Sequence, residues 1–155
     1  MVRIIIAGSR DFNDYDVVRQ YVGTYLLTVD DYKNNVEIIS GGAKGADALG
    51  EKFARRNFLK LKVFPANWEK WGRQAGYIRN EEMVKYAFEN NQTAVLFAFW
   101  DGFSKGTKHI IQTVLPLYPE FDLHVIRYNY NPNMLPTRLH TNLERLKIVK
   151  DIKIT

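Results

Sequence analysis

The chain contains no cysteine, which excludes disulfides, cysteine nucleophiles and thiolate metal sites together. Its three histidines, His109, His124 and His140, stand far apart and form neither an HxxH nor an HExxH pair, so no metal site is expected. Long hydrophobic runs are also missing. The longest, Ala94 to Trp100, is far too short to cross a bilayer, and no membrane partner is expected. At the amino end Ile4-Ile5-Ile6 leads straight into a structured motif, so no export signal is read there; the absence of cysteine fits a cytoplasmic setting. Neither sign of charge dominates. The net charge is +5, and Thr137 to Thr155, with five Lys/Arg against two Asp/Glu, carry +3 of it. Such a weakly basic body suits an anionic small molecule as well as it suits nucleic acid, and a solvated surface is the commonest origin of it.

What is present is the material of one ordinary domain: 155 residues, 46% hydrophobic and 25% charged. Val2 to Ala7 is β-branched and nearly continuous in hydrophobicity, the pattern of a buried strand. Past the capping candidates Asn13 and Asp14, residues Val17, Val18, Tyr21, Val22, Tyr25 and Leu26 recur at helical spacing. Asp30 to Asn35 is polar and reads as a loop. A second strand, Val36 to Ile39, runs through a glycine turn into a helix that ends near Phe58. Leu61 to Phe64 is a third strand closed by Pro65, and a helix is expected from about Gln74 to Asn90. Thr93 to Trp100 is apolar on both faces, as a central parallel strand must be. A helix carrying Ile110, Ile111, Val114 and Leu115 precedes a fifth strand, Leu123 to Arg127.

Strands alternating with helices imply right-handed crossovers, and so an α/β, Rossmann-like three-layer fold. The expected sheet has five parallel strands in the order 3-2-1-4-5, with helices on both faces. This domain spans 1–128. Residues 129–155 are read as a linker, Asn129 to Pro136, and a short basic tail helix with Leu139, Leu143, Leu146, Val149 and Ile152 on one face.

In such a sheet ligands bind at the carboxyl ends of the strands, where loops and helix amino-termini converge. Three strand ends here carry turns suited to an anion. Gly8-Ser9-Arg10 offers flexible backbone, a hydroxyl and a guanidinium. Ser40-Gly41-Gly42-Ala43-Lys44-Gly45-Ala46-Asp47 lacks the side chains that would keep backbone N–H groups from a phosphate. Asp101-Gly102-Phe103-Ser104-Lys105-Gly106-Thr107 is again small, polar and helix-opening. Neither GxGxxG nor GxxxxGK[ST] occurs, so no dinucleotide fingerprint or Walker loop is present.

Together these turns resemble the SLOG superfamily, which includes the Lonely-Guy enzymes and DprA, and its YspA-like branch most of all. Phe64-Pro65-Ala66-Asn67-Trp68, continuing through Gly72, Ala75 and Gly76 to Ile78-Arg79-Asn80 and Met83, adds to the likeness, as does Trp100-Asp101-Gly102. It extends over about Val2 to Arg127. The resemblance implies a Rossmann-like fold that binds a nucleotide or nucleotide-derived signal, often as a homodimer or larger homo-oligomer, with no cofactor required. Arg79 and Met83 match the RKxxM block of the Lonely-Guy enzymes, whose arginine contacts the nucleotide, while Asn80 replaces its lysine. Gly106-Thr107 matches the GT of their GGxGTxxE block, but Ile110 occupies the position of the catalytic glutamate.

The ligand residues expected are therefore Gly8, Ser9, Arg10, Ser40, Gly41, Gly42, Ala43, Lys44, Gly45, Asp47, Trp68, Arg79, Asn80, Asp101, Ser104, Lys105, Gly106 and Thr107. Trp68, Trp71 and Tyr77 are candidates to stack on a base, and Arg10 and Arg79 to grip phosphate. Asp47 also suits a helix cap, and Asp101 a ribose hydroxyl. Two alternatives remain: an N-glycosidic hydrolase using Arg79 with Asp101 or Glu81, and DprA-like nucleic-acid binding, which the aromatic-free tail opposes.

Overall fold

The computed structural model describes residues 1–133 and 137–155, so Met134, Leu135 and Pro136 of the expected linker lie outside the described residues. Six strands form one wholly parallel sheet: β1 (Val2–Gly8), β2 (Val36–Ser40), β3 (Lys60–Val63), β4 (Thr93–Trp100), β5 (Phe121–Tyr128) and β6 (Val149–Ile152). Their order is β3-β2-β1-β4-β5-β6. The order expected for the first five strands holds, and the sixth corrects the strand count.

The period-two geometry of a strand divides the core into two layers. On one face Ile4, Ile6, Val95, Phe97 and Phe99 pack under α1 (Tyr15–Leu26) and α3 (Ala46–Arg56). On the other, Ile5, Ala7, Leu96, Ala98 and Trp100 pack under α5 (Ala75–Phe88), α6 (Lys105–Val114) and α7 (Arg138–Arg145). The single-turn helices α2 (Tyr32–Asn35), in the segment expected to be a loop, and α4 (Trp68–Trp71) lie between them in sequence. Local chemistry starts the helices: the Asp14 carboxylate accepts the Val17 N–H at 3.2 Å, and Thr137 caps α7 through the His140 N–H.

The tail departs from the single helix expected of it. Its apolar residues are buried on the helix only as far as Leu143, which is fully buried, whereas Leu146 is 40% exposed. Lys147 then takes a left-handed conformation, φ 59°, and the Ile148 N–H returns to the Leu143 carbonyl, a helix-ending pattern. Val149 to Ile152 leave the helix and pair with the open edge of β5, Val125 with Val149 and Tyr128 with Ile152. A β-branched segment beside unpaired backbone gains ladder hydrogen bonds there that another helical turn on the surface would not supply.

Crossovers of one hand put α1 and α3 on one face as the chain moves from β1 to β3, and α5 to α7 on the other as it moves back from β3 to β4 and on to β6. The direction reverses between β1 and β4. A crevice opens at their carboxyl ends.

Candidate functional site

That crevice has a volume of about 480 Å³ and is lined from the turns after β1 and β4, from Ala43 and Asp47, and from one side of α5. Buried Ser9 ties its floor together. The Ser9 N–H donates to the Phe99 carbonyl at 2.9 Å, and its own carbonyl accepts the N–H of Ala46 at 3.3 Å. Its hydroxyl oxygen accepts the Asp101 N–H at 3.1 Å and lies 3.0 Å from the Ser104 hydroxyl. The strand ends thus share one hydrogen-bonded knot, which holds the crevice geometry.

The glycine turn after β2 points its donors inward. The Gly42 N–H donates to Ser40 Oγ at 3.1 Å, and the Ala43 N–H to Asp47 Oδ2 at 3.2 Å. Ser40 Oγ in turn lies 2.8 Å from Glu51 Oε2. Of this turn only Ala43 and Asp47 line the crevice; Ser40, Gly41, Gly42, Lys44 and Gly45 do not. Gly41 has a steric role. A β-carbon there would stand 2.6 Å from Arg79 Nη1 and 2.7 Å from Asp47 Oδ2, so the absent side chain lets both groups close in.

Arg79 projects from α5, donates through Nη1 to the Gly41 carbonyl and through Nε to Asn80 Oδ1 at 3.1 Å. Burial lowers its pKa against the opposing pull of Asp47. For Asp47 burial raises the pKa to about 6, outweighing the nearby Arg79 charge and the Ala43 hydrogen bond. Asn80 is buried, and its Nδ2 donates to the Gly106 carbonyl at 3.1 Å, so it joins α5 to α6.

In the third turn the Asp101 carboxylate is engaged at both oxygens. Oδ1 accepts the N–H groups of Phe103 and Ser104, each at 2.8 Å, and Oδ2 accepts the Ser104 hydroxyl at 2.9 Å. These bonds shape the entry to α6. The first-turn N–H groups of a helix have no intrahelical partner, and here that turn, Lys105 to Thr107, lines the crevice. Nothing lies within 4 Å of a β-carbon built on Gly106, which leaves this approach open.

Trp68, 50% exposed, stands at the rim with the Arg10 guanidinium 6.0 Å from its ring centre. Tyr77 shares the rim and stacks on His109 at 4.4 Å. Glu81 is not among the lining residues; its side chain is 66% exposed and its carboxylate sits 3.9 Å from His109 Nε2. Of the other stacking candidates Tyr77 lines the crevice and Trp71 does not; Asp11, Arg73, Gly76, Met83 and Ile110 also line it, beyond the residues expected to touch ligand. Gly76, Arg79, Asn80 and Met83 follow three-and-four spacing, a signal by which Gly76 and Met83 were recognisable. Asp11 shows no comparable pattern; it is placed by the Tyr128 hydroxyl, which donates to Asp11 Oδ1 at 2.7 Å. Among the described residues no group of three or more His, Asp or Glu is placed to hold a metal, and no helix is long and apolar enough to cross a membrane.

A parallel sheet in this order, with a polar crevice at its reversal point, defines a Rossmann-like α/β protein. Residues 2–71 match the family described as the YspA, cpYpsA-related SLOG family. The Gene 61 protein of Mycobacterium phage D29 is 31% identical over 117 residues, covering 72% of this chain and 87% of the phage protein. The chain belongs to the YspA, cpYpsA-related SLOG family. No solved structure matches it.

Proposed function

We propose that the chain binds a phosphorylated nucleotide, or a signal built from one, in the crevice between β1 and β4, as a binding or sensing module. The observation that carries this reading is that Arg79 and the opening turn of α6 line the same crevice. A guanidinium and unpaired helix N–H groups are both donors that favour phosphate oxygens. Arg10, Arg73 and Lys105 add positive charge on the same walls. Trp68 and Tyr77 supply exposed aromatic surface at the rim, suited to the face of a base. Donation to phosphate from the Gly42 and Ala43 N–H groups forms no part of the proposal, because both are already bonded within the protein.

The test is thermal unfolding with a panel of adenosine and guanosine mono-, di- and cyclic phosphates at millimolar concentration. A ligand that binds only the folded state raises the midpoint by mass action. At least one member is expected to do so for the wild type, with the shift reduced or lost in Arg79→Ala. A panel that shifts nothing overturns the reading.

A further inference from the structure

We propose that His140, in the tail, is a positioning residue for this crevice, setting the Asp101–Ser104 turn and the start of α6 through the Gly102 carbonyl. The claim about ligand affinity rests on the nucleotide reading above; the claim about the turn does not.

Arg127 on β5 is only 2% exposed and is held by three residues of the tail. Its Nε and Nη2 donate to the two carboxylate oxygens of Asp151 on β6 at 2.6 and 2.9 Å, and Nη2 also donates to Glu144 on α7 at 2.9 Å. Its Nη1 lies 2.7 Å from His140 Nδ1. A guanidinium only donates, so Nδ1 must accept and the imidazole proton must sit on Nε2. Nε2 stands 3.1 Å from the Gly102 carbonyl and donates to it. The buried arginine thereby selects the single neutral tautomer that can hold the turn.

Packing reinforces the same connection. The His140 ring lies between Trp100, at 4.8 Å and 10° between planes, and Tyr130, at 4.6 Å and 27°. Trp100 Nε1 donates to the Ser104 carbonyl at 3.1 Å, at the entry to α6. Gly102 has φ 92°, and a β-carbon there would stand 2.7 Å from the Tyr130 ring, so the turn is tucked directly beneath the tail. Asp101 and Ser104 of the same turn line the crevice, whereas Gly102, Tyr130 and His140 do not.

The experiment compares wild type, His140→Phe and Leu143→Ala by hydrogen exchange, with AMP affinity measured alongside. Phenylalanine keeps a ring between Trp100 and Tyr130 and removes both hydrogen bonds; alanine at 143 loosens the tail core without touching the turn. One lost buried hydrogen bond corresponds to roughly tenfold faster local exchange. The amides of Phe103 and Ser104, bonded to Asp101 Oδ1, and of Lys108, bonded to the Ser104 carbonyl, should accelerate by about that factor in His140→Phe beyond any change in α1, and AMP should bind about tenfold more weakly. In Leu143→Ala they should change only in step with the whole molecule. Unchanged exchange at Phe103, Ser104 and Lys108 in His140→Phe, or a rise merely in step with α1, overturns the proposal. If the phenylalanine variant does not fold, ¹⁵N NMR of the wild-type imidazole decides: a proton on Nε2 alone supports the clasp and a proton on Nδ1 overturns it. Wild-type protein that binds no nucleotide defeats the nucleotide reading and leaves the exchange result to judge the turn.

Discussion

Asp47 and Arg79 both close on Gly41, each with a side-chain atom within 2.7 Å of the point where a β-carbon would stand. The carboxylate comes from the first turn of α3 and the guanidinium from the second turn of α5, so one glycine lets two helices bring opposite charges together.

Gly41→Ala should therefore disturb the site beyond its local cost. The added methyl pushes on both Arg79 and Asp47, and overpacking of this kind typically costs about 1–3 kcal/mol. Urea unfolding should show a loss in that range. The nucleotide-induced rise in melting temperature should fall further than the stability alone explains.

Asp47 should make stability depend on pH in an unusual direction for a carboxylate. Its folded pKa, about 6, lies above the ordinary value of 3.8, so the folded state holds its proton more tightly than the unfolded chain. Its contribution is full below the ordinary value and is lost as pH rises through the folded one. Asp47→Asn keeps an acceptor for the Ala43 N–H and removes the titration. Subtracting the variant's stability from the wild type's should give a difference that declines from about pH 4 to about pH 6 and then levels off. A flat difference would show that the Asp47 carboxyl is not raised.

Incubation with adenosine or cytidine monophosphate should release no free base. Cleaving an N-glycosidic bond develops positive charge on the ribose, which a nearby carboxylate stabilises, and loss of one such group commonly costs about a hundredfold to a thousandfold in rate. Ile110 lines the crevice with an apolar side chain, Asp101 is engaged by its own turn, and Glu81 points elsewhere. Robust base release that disappears in Arg79→Ala would establish the hydrolase reading instead.

Removal of residues 138–155 should destabilise the domain rather than trim it. Leu139 and Leu143 belong to the same core layer as Trp100 and Val125, and β6 covers the edge of β5. The shortened chain should bind a hydrophobic dye at pH 7 and unfold at markedly lower urea. A truncated protein as stable as the full chain would show that the tail merely rests on the surface.

Much of this organisation follows from local pattern. β4 was recognisable because a strand covered on both faces needs apolar residues at every position, and Ala94 to Trp100 meet that need. Arg79 was recognisable through its motif, and the strand ends through their small, polar turns. The tail was misread because Leu139, Leu143, Leu146, Val149 and Ile152 satisfy helical spacing, while the competing attraction, the open edge of β5, lies more than twenty residues away in sequence. Sequence alone thus determined the alternation of strands and helices, the order of the first five strands, and which turns meet at their carboxyl ends. Only the tertiary structure decided the direction of the glycine-turn donors, because Ser40 and Asp47 compete for them inside the protein. It likewise decided that Asp101 shapes its own turn and that His140 reaches Gly102 from a distant segment. A hydrogen bond depends on distance and direction, and residue type supplies only the capacity to form one.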